Sequence, residues 1–136
     1  MELWLDVRLV SPNVASKEHW LRRYQRSVRQ RKFVYLTAKE AMGSRWSVEA
    51  APSRPKRVHF TCYTGQAFDD DNLISSLKHV RDGLVDARLI SGDAPRDGHV
   101  FSYEQRSGWP PAKQGVRVSV SLLGGDHATT LRPPAE

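Results

Sequence analysis

Alternation of apolar and polar residues predicts strands in two well-separated parts of the chain. Near the N-terminus every second residue is apolar: Leu3, Leu5, Val7 and Leu9. The same period of two recurs over 57–63, where Val58, Phe60 and Cys62 alternate with mostly polar residues. This period is typical of a strand with one buried face, so we predict an N-terminal strand and a central strand. The only cysteine, Cys62, is expected to be a small buried residue of the central strand.

Two further strands are predicted near the C-terminus. Residues 99–106 and 115–123 are rich in β-branched and aromatic residues, and a turn sequence with two prolines separates them. We expect these strands to pair with each other in antiparallel orientation. The remaining residues, 124–136, contain little apolar surface, so we predict a flexible tail.

Helical periodicity fills the two long gaps between the strands. Ser16 is a suitable N-cap for a first helix that runs to about Met42 and ends at Gly43. Its apolar stripe is approximate: Leu21, Tyr24, Val28, Tyr35 and Leu36. A second helix has apolar residues at steps of four, three, four and three: Leu73, Leu77, Val80, Leu84 and Ala87.

The element order strand, helix, strand, helix, strand, strand predicts an α+β fold of two layers, a mixed sheet with the helices packed on one face. We expect one domain over 1–123. Residues 44–55, with Pro52 and Pro55, are predicted to form a loop in which a short strand near Trp46 and Val48 is an alternative.

Charge narrows the range of partners. The chain has 21 Lys and Arg against 15 Asp and Glu, a net charge of +6, which favours an anionic partner such as nucleic acid. We find no apolar run that suits a membrane span and no signal-peptide pattern, so we expect a soluble, cytoplasmic protein. The sequence contains neither an HExxH motif nor a GxxxxGK[ST] loop, which argues against a zinc protease and against a P-loop NTPase.

The junction before the second helix carries three consecutive acids, Asp69, Asp70 and Asp71. In an extended approach to the helix, Asp69 and Asp71 point the same way and Asp70 points away, so the first two can share one Mg²⁺ ion. Asp93 is the expected third ligand, and Lys78 the group that stabilises charge on a phosphate. The alternative is that the acids only cap the helix and complement its dipole.

The pattern Asp69-x-Asp71-Asn72-Leu73, followed by Lys78, Asp82, Leu84 and Asp93, resembles the motif of RusA-type Holliday-junction resolvases. The resemblance implies a homodimeric endodeoxyribonuclease that uses Mg²⁺, with Mn²⁺ as a possible substitute, to cut branched DNA by paired nicks in recombination and repair. It also implies that Asp69, Asp71 and Asp93 bind the metal and that Lys78 is catalytic. Family members commonly have two acids where this chain has Gly92-Asp93, so Asp97 and Asp86 are alternative third ligands.

The first helix is strongly basic. Because Glu18 is the only acid that offsets its N-terminal half, we expect this surface to bind DNA phosphates rather than form ion pairs. Trp20 and Tyr24 are candidates for stacking on bases, with packing in the core as the alternative. The predicted DNA-binding residues are Arg22, Arg23, Arg26, Arg29, Arg31, Lys32 and Trp20. A non-catalytic nucleic-acid-binding protein is the alternative to a nuclease.

Overall fold

A computed structural model describes residues 1–43 and 52–123 of the chain. Within these residues four strands form one mixed sheet, and its helices share a hydrophobic core with one face of that sheet, as an α+β fold requires. The strands are β1 (Glu2–Leu5), β2 (Lys56–Tyr63), β3 (Val100–Arg106) and β4 (Gly115–Leu122). The helices are α1 (Pro12–Ala15), α2 (Trp20–Met42), α3 (Asp70–Ser76) and α4 (Lys78–Asp86).

The strand order is β1-β4-β2-β3. β4 is antiparallel to both of its neighbours, whereas β2 and β3 are parallel. The predicted antiparallel pair of the last two strands is therefore wrong, because β2 lies between them. The reason is the connection through α3 and α4, which returns the chain to the end of the sheet where β2 begins. β3 therefore starts beside the start of β2 and runs parallel to it, as in a βαβ unit.

The core confirms most of the predicted apolar positions. Alternate residues of β1, β2 and β4 are buried, and all five predicted apolar residues of the second helical region join them: Leu73, Leu77, Val80, Leu84 and Ala87. Cys62 is fully buried, and this burial raises the pKa of its thiol to about 12. The cysteine is therefore a packing residue, as expected.

The first helical region differs from its prediction in two ways. A short helix, α1, precedes it, and α2 begins at Trp20 with His19 as its N-cap, because His19 Nδ1 accepts a hydrogen bond from the Leu21 backbone N–H. The buried residues of α2 are Val34, Ala38 and Met42, all in its C-terminal half. Most of the predicted apolar stripe is exposed instead, since the N-terminal half of this 23-residue helix carries no buried residue. The end at Gly43 is confirmed, with a positive φ of 53°.

α2 packs along α4 at a glycine. A Cβ atom on Gly83 would lie 2.5 Å from Val34 Cβ and 3.0 Å from the Arg31 carbonyl oxygen. Beside this close approach, Arg31 donates two hydrogen bonds to the carboxylate of Asp86, at 3.1 and 2.9 Å. The two helices are thus joined by direct backbone proximity and by one bidentate ion pair.

Two predictions concern residues outside the described part of the chain. The tail at 124–136 lies outside it entirely, and so do residues 44–51 of the predicted loop, including the alternative strand near Trp46 and Val48. In the part that the structure describes, no helix is both long and apolar enough to cross a bilayer.

Candidate functional site

The three acids lie where the segment after β2 enters α3. Asp69 occupies the N-cap position, but its carboxylate makes no capping hydrogen bond. Asp70 and Asp71 belong to the first turn, and all three residues are exposed. The expectation that Asp69 and Asp71 point the same way from an extended segment is wrong, because α3 already begins at Asp70. Within residues 1–43 and 52–123, none of these carboxylates has an ion-pair or hydrogen-bond partner.

A glutamine from β3 fixes the residue that precedes these acids. The Phe68 backbone N–H donates to Gln105 Oε1 at 2.9 Å, and Gln105 Nε2 donates to the Phe68 carbonyl oxygen at 2.6 Å. The side-chain amide thus links the segment after β2 to β3. It holds the backbone at Phe68, so the entry into α3 has a defined position relative to the sheet.

Lys78 and Asp93 lie close to each other, but neither has a contact with Asp69 or Asp71 in the described part of the chain. Lys78 Nζ lies 3.8 Å from Asp93 Oδ2 and 3.3 Å from Asp82 Oδ1. Arg81 Nε is closer to Asp93 Oδ2, at 3.2 Å, and Arg81 Nη1 donates to the Ile74 carbonyl oxygen at 2.8 Å. Two cations therefore face one oxygen of Asp93. Lys78 begins α4 after a break at Leu77, not on the same continuous helix as Asp71.

The predicted ligands Asp69, Asp71 and Asp93 do not form a metal-binding group in the described part of the chain. Among the described residues, no three His, Cys, Asp or Glu side chains lie close enough to hold one metal ion. The alternative third ligands have other contacts: Asp97 accepts hydrogen bonds from Ser91 Oγ and the Ala94 N–H, and Asp86 binds Arg31. The donor chemistry of Asp69 and Asp71 nevertheless fits Mg²⁺, which prefers one or two carboxylates and retains several waters.

A cleft of about 490 Å³ lies beside the acidic segment, between the connection after β1 and the segment from Thr64 to Phe68. Arg8 and Gln66 contribute polar groups to its lining. The Thr64 hydroxyl also belongs to this region and is buried with no hydrogen-bond partner among the described residues. The cleft is thus lined by charges of both signs, Arg8 and Glu18, and by one hydroxyl without a partner in the described chain.

The basic residues of α2 divide into paired and unpaired groups. Arg26 binds Glu18 at 2.6 Å, which lowers the pKa of that carboxyl, and Arg31 binds Asp86. The other predicted DNA-binding cations are exposed and have no carboxylate partner in the described chain: Arg22, Arg23, Arg29 and Lys32. Four of the six cations are thus available for an anionic ligand.

The aromatic residues of α2 are on the surface. Trp20 is 63% exposed and Tyr24 is 62% exposed, so the alternative that they pack in the core is wrong. The Trp20 ring lies 5.7 Å from the His19 ring at the start of the helix. Both aromatic side chains remain available for stacking.

Two residues of the site were missed in the sequence. Arg81 is nearly buried although it is charged, and its position next to Val80 on the apolar side of α4 was the available signal. Burial raises the pKa of the neighbouring Tyr103 hydroxyl, with an opposing contribution from Arg81. Gln105 carried no such signal, because its partner Phe68 is 37 residues away.

No protein-family model matches the chain, and no curated protein is significantly similar to it in sequence. The resemblance to RusA-type resolvases therefore depends on the motif residues alone.

Proposed function

We propose that the protein is a metal-dependent endonuclease for branched DNA, of the RusA type. The observation that carries the proposal is the acidic segment Asp69–Asp71, which has no cationic partner in the described chain although the protein has a net charge of +6. Exposed carboxylates without a cationic partner leave their oxygens available to a hard cation such as Mg²⁺. Asp69 makes no capping hydrogen bond, which weakens the alternative that these acids cap α3, whereas Asp70 and Asp71 in the first turn do complement the helix dipole.

Asp69, at the N-cap, and Asp71, in the first turn of α3, would hold the Mg²⁺ ion as the resemblance implies, with Mn²⁺ as a substitute. Because residues two apart on a helix do not face each other, the Asp69 side chain would have to turn towards Asp71 when the ion binds. Bound there, the ion would polarise a phosphodiester and make water a better nucleophile. Lys78 is 53% exposed and can turn from Asp93 towards a phosphate oxygen, where its charge would stabilise the developing negative charge. When Lys78 turns towards the phosphate, Arg81 would keep the Asp93 side chain in place.

The unpaired cations of α2 would hold the DNA backbone. Exposed arginines bind phosphate with two parallel hydrogen bonds, and each contact adds to the salt dependence of binding. A homodimer would present two equivalent sites to the two-fold symmetric four-way junction, which accounts for paired nicks. Such a substrate places the protein with the nucleoid in the cytoplasm.

A cleavage assay tests the proposal. Wild-type protein with Mg²⁺ should nick a labelled four-way junction at symmetric positions. Asp71→Asn should abolish cleavage but retain junction binding, because it removes a ligand and also a charge that repels DNA. Asp70→Asn is the matched control, since it makes the same chemical change one residue away and should leave cleavage largely intact. Junction binding without cleavage over a range of Mg²⁺ and Mn²⁺ concentrations would refute the proposal.

One observation favours a second function, a nucleic-acid-binding protein without catalysis. Asp93 is already neutralised by Arg81 and Lys78, and no group of three metal-binding side chains is assembled among the described residues. In that case Asp71→Asn and Asp70→Asn would have equal, small effects on binding. Equal effects of the two substitutions, together with no cleavage, distinguish this function from the nuclease.

A further inference from the structure

The face of the sheet opposite the helices carries a cluster of aromatic rings. Leu3 and Leu5 point into the core, so Trp4 between them lies on the other face, and Tyr63 follows buried Cys62 in the same way. The ring centroids of Trp4 and Tyr63 are 5.6 Å apart. Trp109, in the loop after β3, lies with its ring centroid 5.4 Å from that of Tyr63. The three rings form one continuous group.

These rings are accessible although they are large and apolar. Trp4 is 45% exposed and Trp109 is 36% exposed. Trp4 is also held in position, because a Cβ atom on Gly115 would lie 2.5 Å from Trp4 Cζ2, which means that the indole rests directly on the backbone of β4. An exposed aromatic group that is fixed before binding loses little conformational entropy when a ligand stacks on it.

Two arginines stand beside the rings. The guanidinium carbons of Arg106 and Arg117 each lie 5.8 Å from the centroid of the Tyr63 ring. Arg106 is paired with Glu104 at 2.9 Å, whereas Arg117 has no carboxylate partner in the described chain. Strand alternation places five charged residues on this face, and they give it a net positive charge: Arg57, Arg106, Arg117, Glu2 and Glu104.

We propose that this face, which we name the aromatic face and define by Trp4, Tyr63, Trp109, Arg106 and Arg117, binds an unpaired stretch of nucleic acid. Bases stack on the exposed rings, and Arg117 contacts the backbone phosphate. Exposed aromatic rings on a sheet combined with unpaired cations are the two features that single-stranded nucleic acid requires. A second copy of the chain would place the same positive charge against this face, whereas a nucleic acid is negatively charged. Charge complementarity therefore favours nucleic acid as the ligand.

The size of the surface fits a short segment. Neighbouring strands are about 4.8 Å apart, so the two steps from β1 through β4 to β2 span about 10 Å, room for roughly two or three stacked nucleotides. The rings also lie at the end of β2 that leads towards Phe68, because the Trp109 N–H donates to the Thr64 carbonyl oxygen at 3.0 Å. Unpaired nucleotides on this face would therefore leave it near the segment that carries the acids.

Binding can be measured without any metal, so it is independent of the proposed nuclease activity. We expect a fluorescent twelve-residue oligothymidine to bind the wild type in EDTA, with affinity that falls as salt rises. Trp4→Ala and Trp109→Ala should each weaken binding by about 5-fold to 100-fold, the range typical of removing one stacked ring. Val100→Ala is the control, since Val100 is an apolar residue with 39% exposure at the opposite end of β3 from Arg106, and its affinity should stay within about twofold of wild type.

A second measurement uses only wild-type protein and so avoids any effect of substitutions on folding. An oligothymidine that carries 5-iodouracil should form photo-crosslinks with Trp4, Tyr63 or Trp109, identified by peptide mapping. Crosslinks confined to α2 would overturn the proposal. Sedimentation that shows the Trp4 and Trp109 variants losing self-association, with unchanged oligothymidine affinity, would also overturn it and identify the face as a contact between copies.

Discussion

Gln105 offers a direct test of how the fold positions the acidic segment. Its side-chain amide makes two hydrogen bonds with the Phe68 backbone, at 2.9 and 2.6 Å, and both groups are partly buried. Gln105→Met keeps the length of the side chain but removes both bonds. Each bond contributes about 0.5–1.5 kcal/mol, so we expect a loss of about 1–3 kcal/mol in the free energy of unfolding.

The loss should be local as well as global. Urea unfolding of Gln105→Met should show a lower midpoint and an unchanged m-value. The exchange rate of the Phe68 amide hydrogen should rise above its wild-type value by more than the rates of amides in the middle of β2 do. If Asp69 and Asp71 bind Mg²⁺, its affinity should fall as well, because their segment is no longer fixed. Gln66→Met is the matched control, since Gln66 is exposed, and its stability should stay within about 0.5 kcal/mol of wild type. Equal stability of both variants would refute the role given to Gln105.

Three further predictions concern the helices and the pH dependence. Gly83→Ala should lower the free energy of unfolding, measured by urea denaturation, by about 1–2 kcal/mol. The reason is that overpacking against Val34 outweighs the roughly 1 kcal/mol gain in helix propensity. Stability equal to or higher than that of the wild type would contradict this. Burial lowers the pKa of His99 below its unfolded value, so the contribution of His99 to stability should be fully present above about pH 6.5 and should be lost as the pH falls. The free energy of unfolding should decrease by at most about 1.4 kcal/mol per pH unit. His99→Gln should reduce this slope, and an unchanged slope would exclude His99 as its source. Replacing Arg22 and Arg29 with Glu should weaken DNA binding. The slope of log K against log salt concentration should become less steep by about 0.9 for each phosphate that α2 no longer neutralises. Unchanged affinity would show that α2 does not contact DNA.

Local sequence patterns predicted the elements of this fold better than their arrangement. The period of two in β2 and the steps of three and four before Ala87 depend on which face of each element is buried, and both predictions were confirmed. The pairing of the last two strands was wrong because strand order depends on contacts between distant residues. The exposed residues Leu21 and Val28 show a similar limit, since periodicity cannot tell how far a helix extends beyond the core.

The candidate site was predictable to a similar extent. The sequence indicated the acids and Lys78 as candidate groups, and the structure places Lys78 near Asp93 but does not gather the three acids into one group among the described residues. The contacts made by Gln105 and Arg81 were not predictable, because each depends on where the chain returns after a turn or a crossover. Short-range patterns thus identify groups that can do chemistry, whereas the residues that hold them in place come from elsewhere in the chain.

Asp93 has one carboxylate oxygen in contact with two cations and one without a partner in the described chain. Both cations that face this residue contact the same oxygen: Arg81 Nε and Lys78 Nζ lie 3.2 and 3.8 Å from Oδ2. The other oxygen, Oδ1, has no partner in the described chain. Arg81 cannot leave easily, because its side chain is 10% exposed and also binds the Ile74 carbonyl oxygen, whereas Lys78 is 53% exposed and can. Arg81 would therefore orient the carboxylate through one oxygen while the second oxygen stays free for a cation, an arrangement common around metal ligands in proteins.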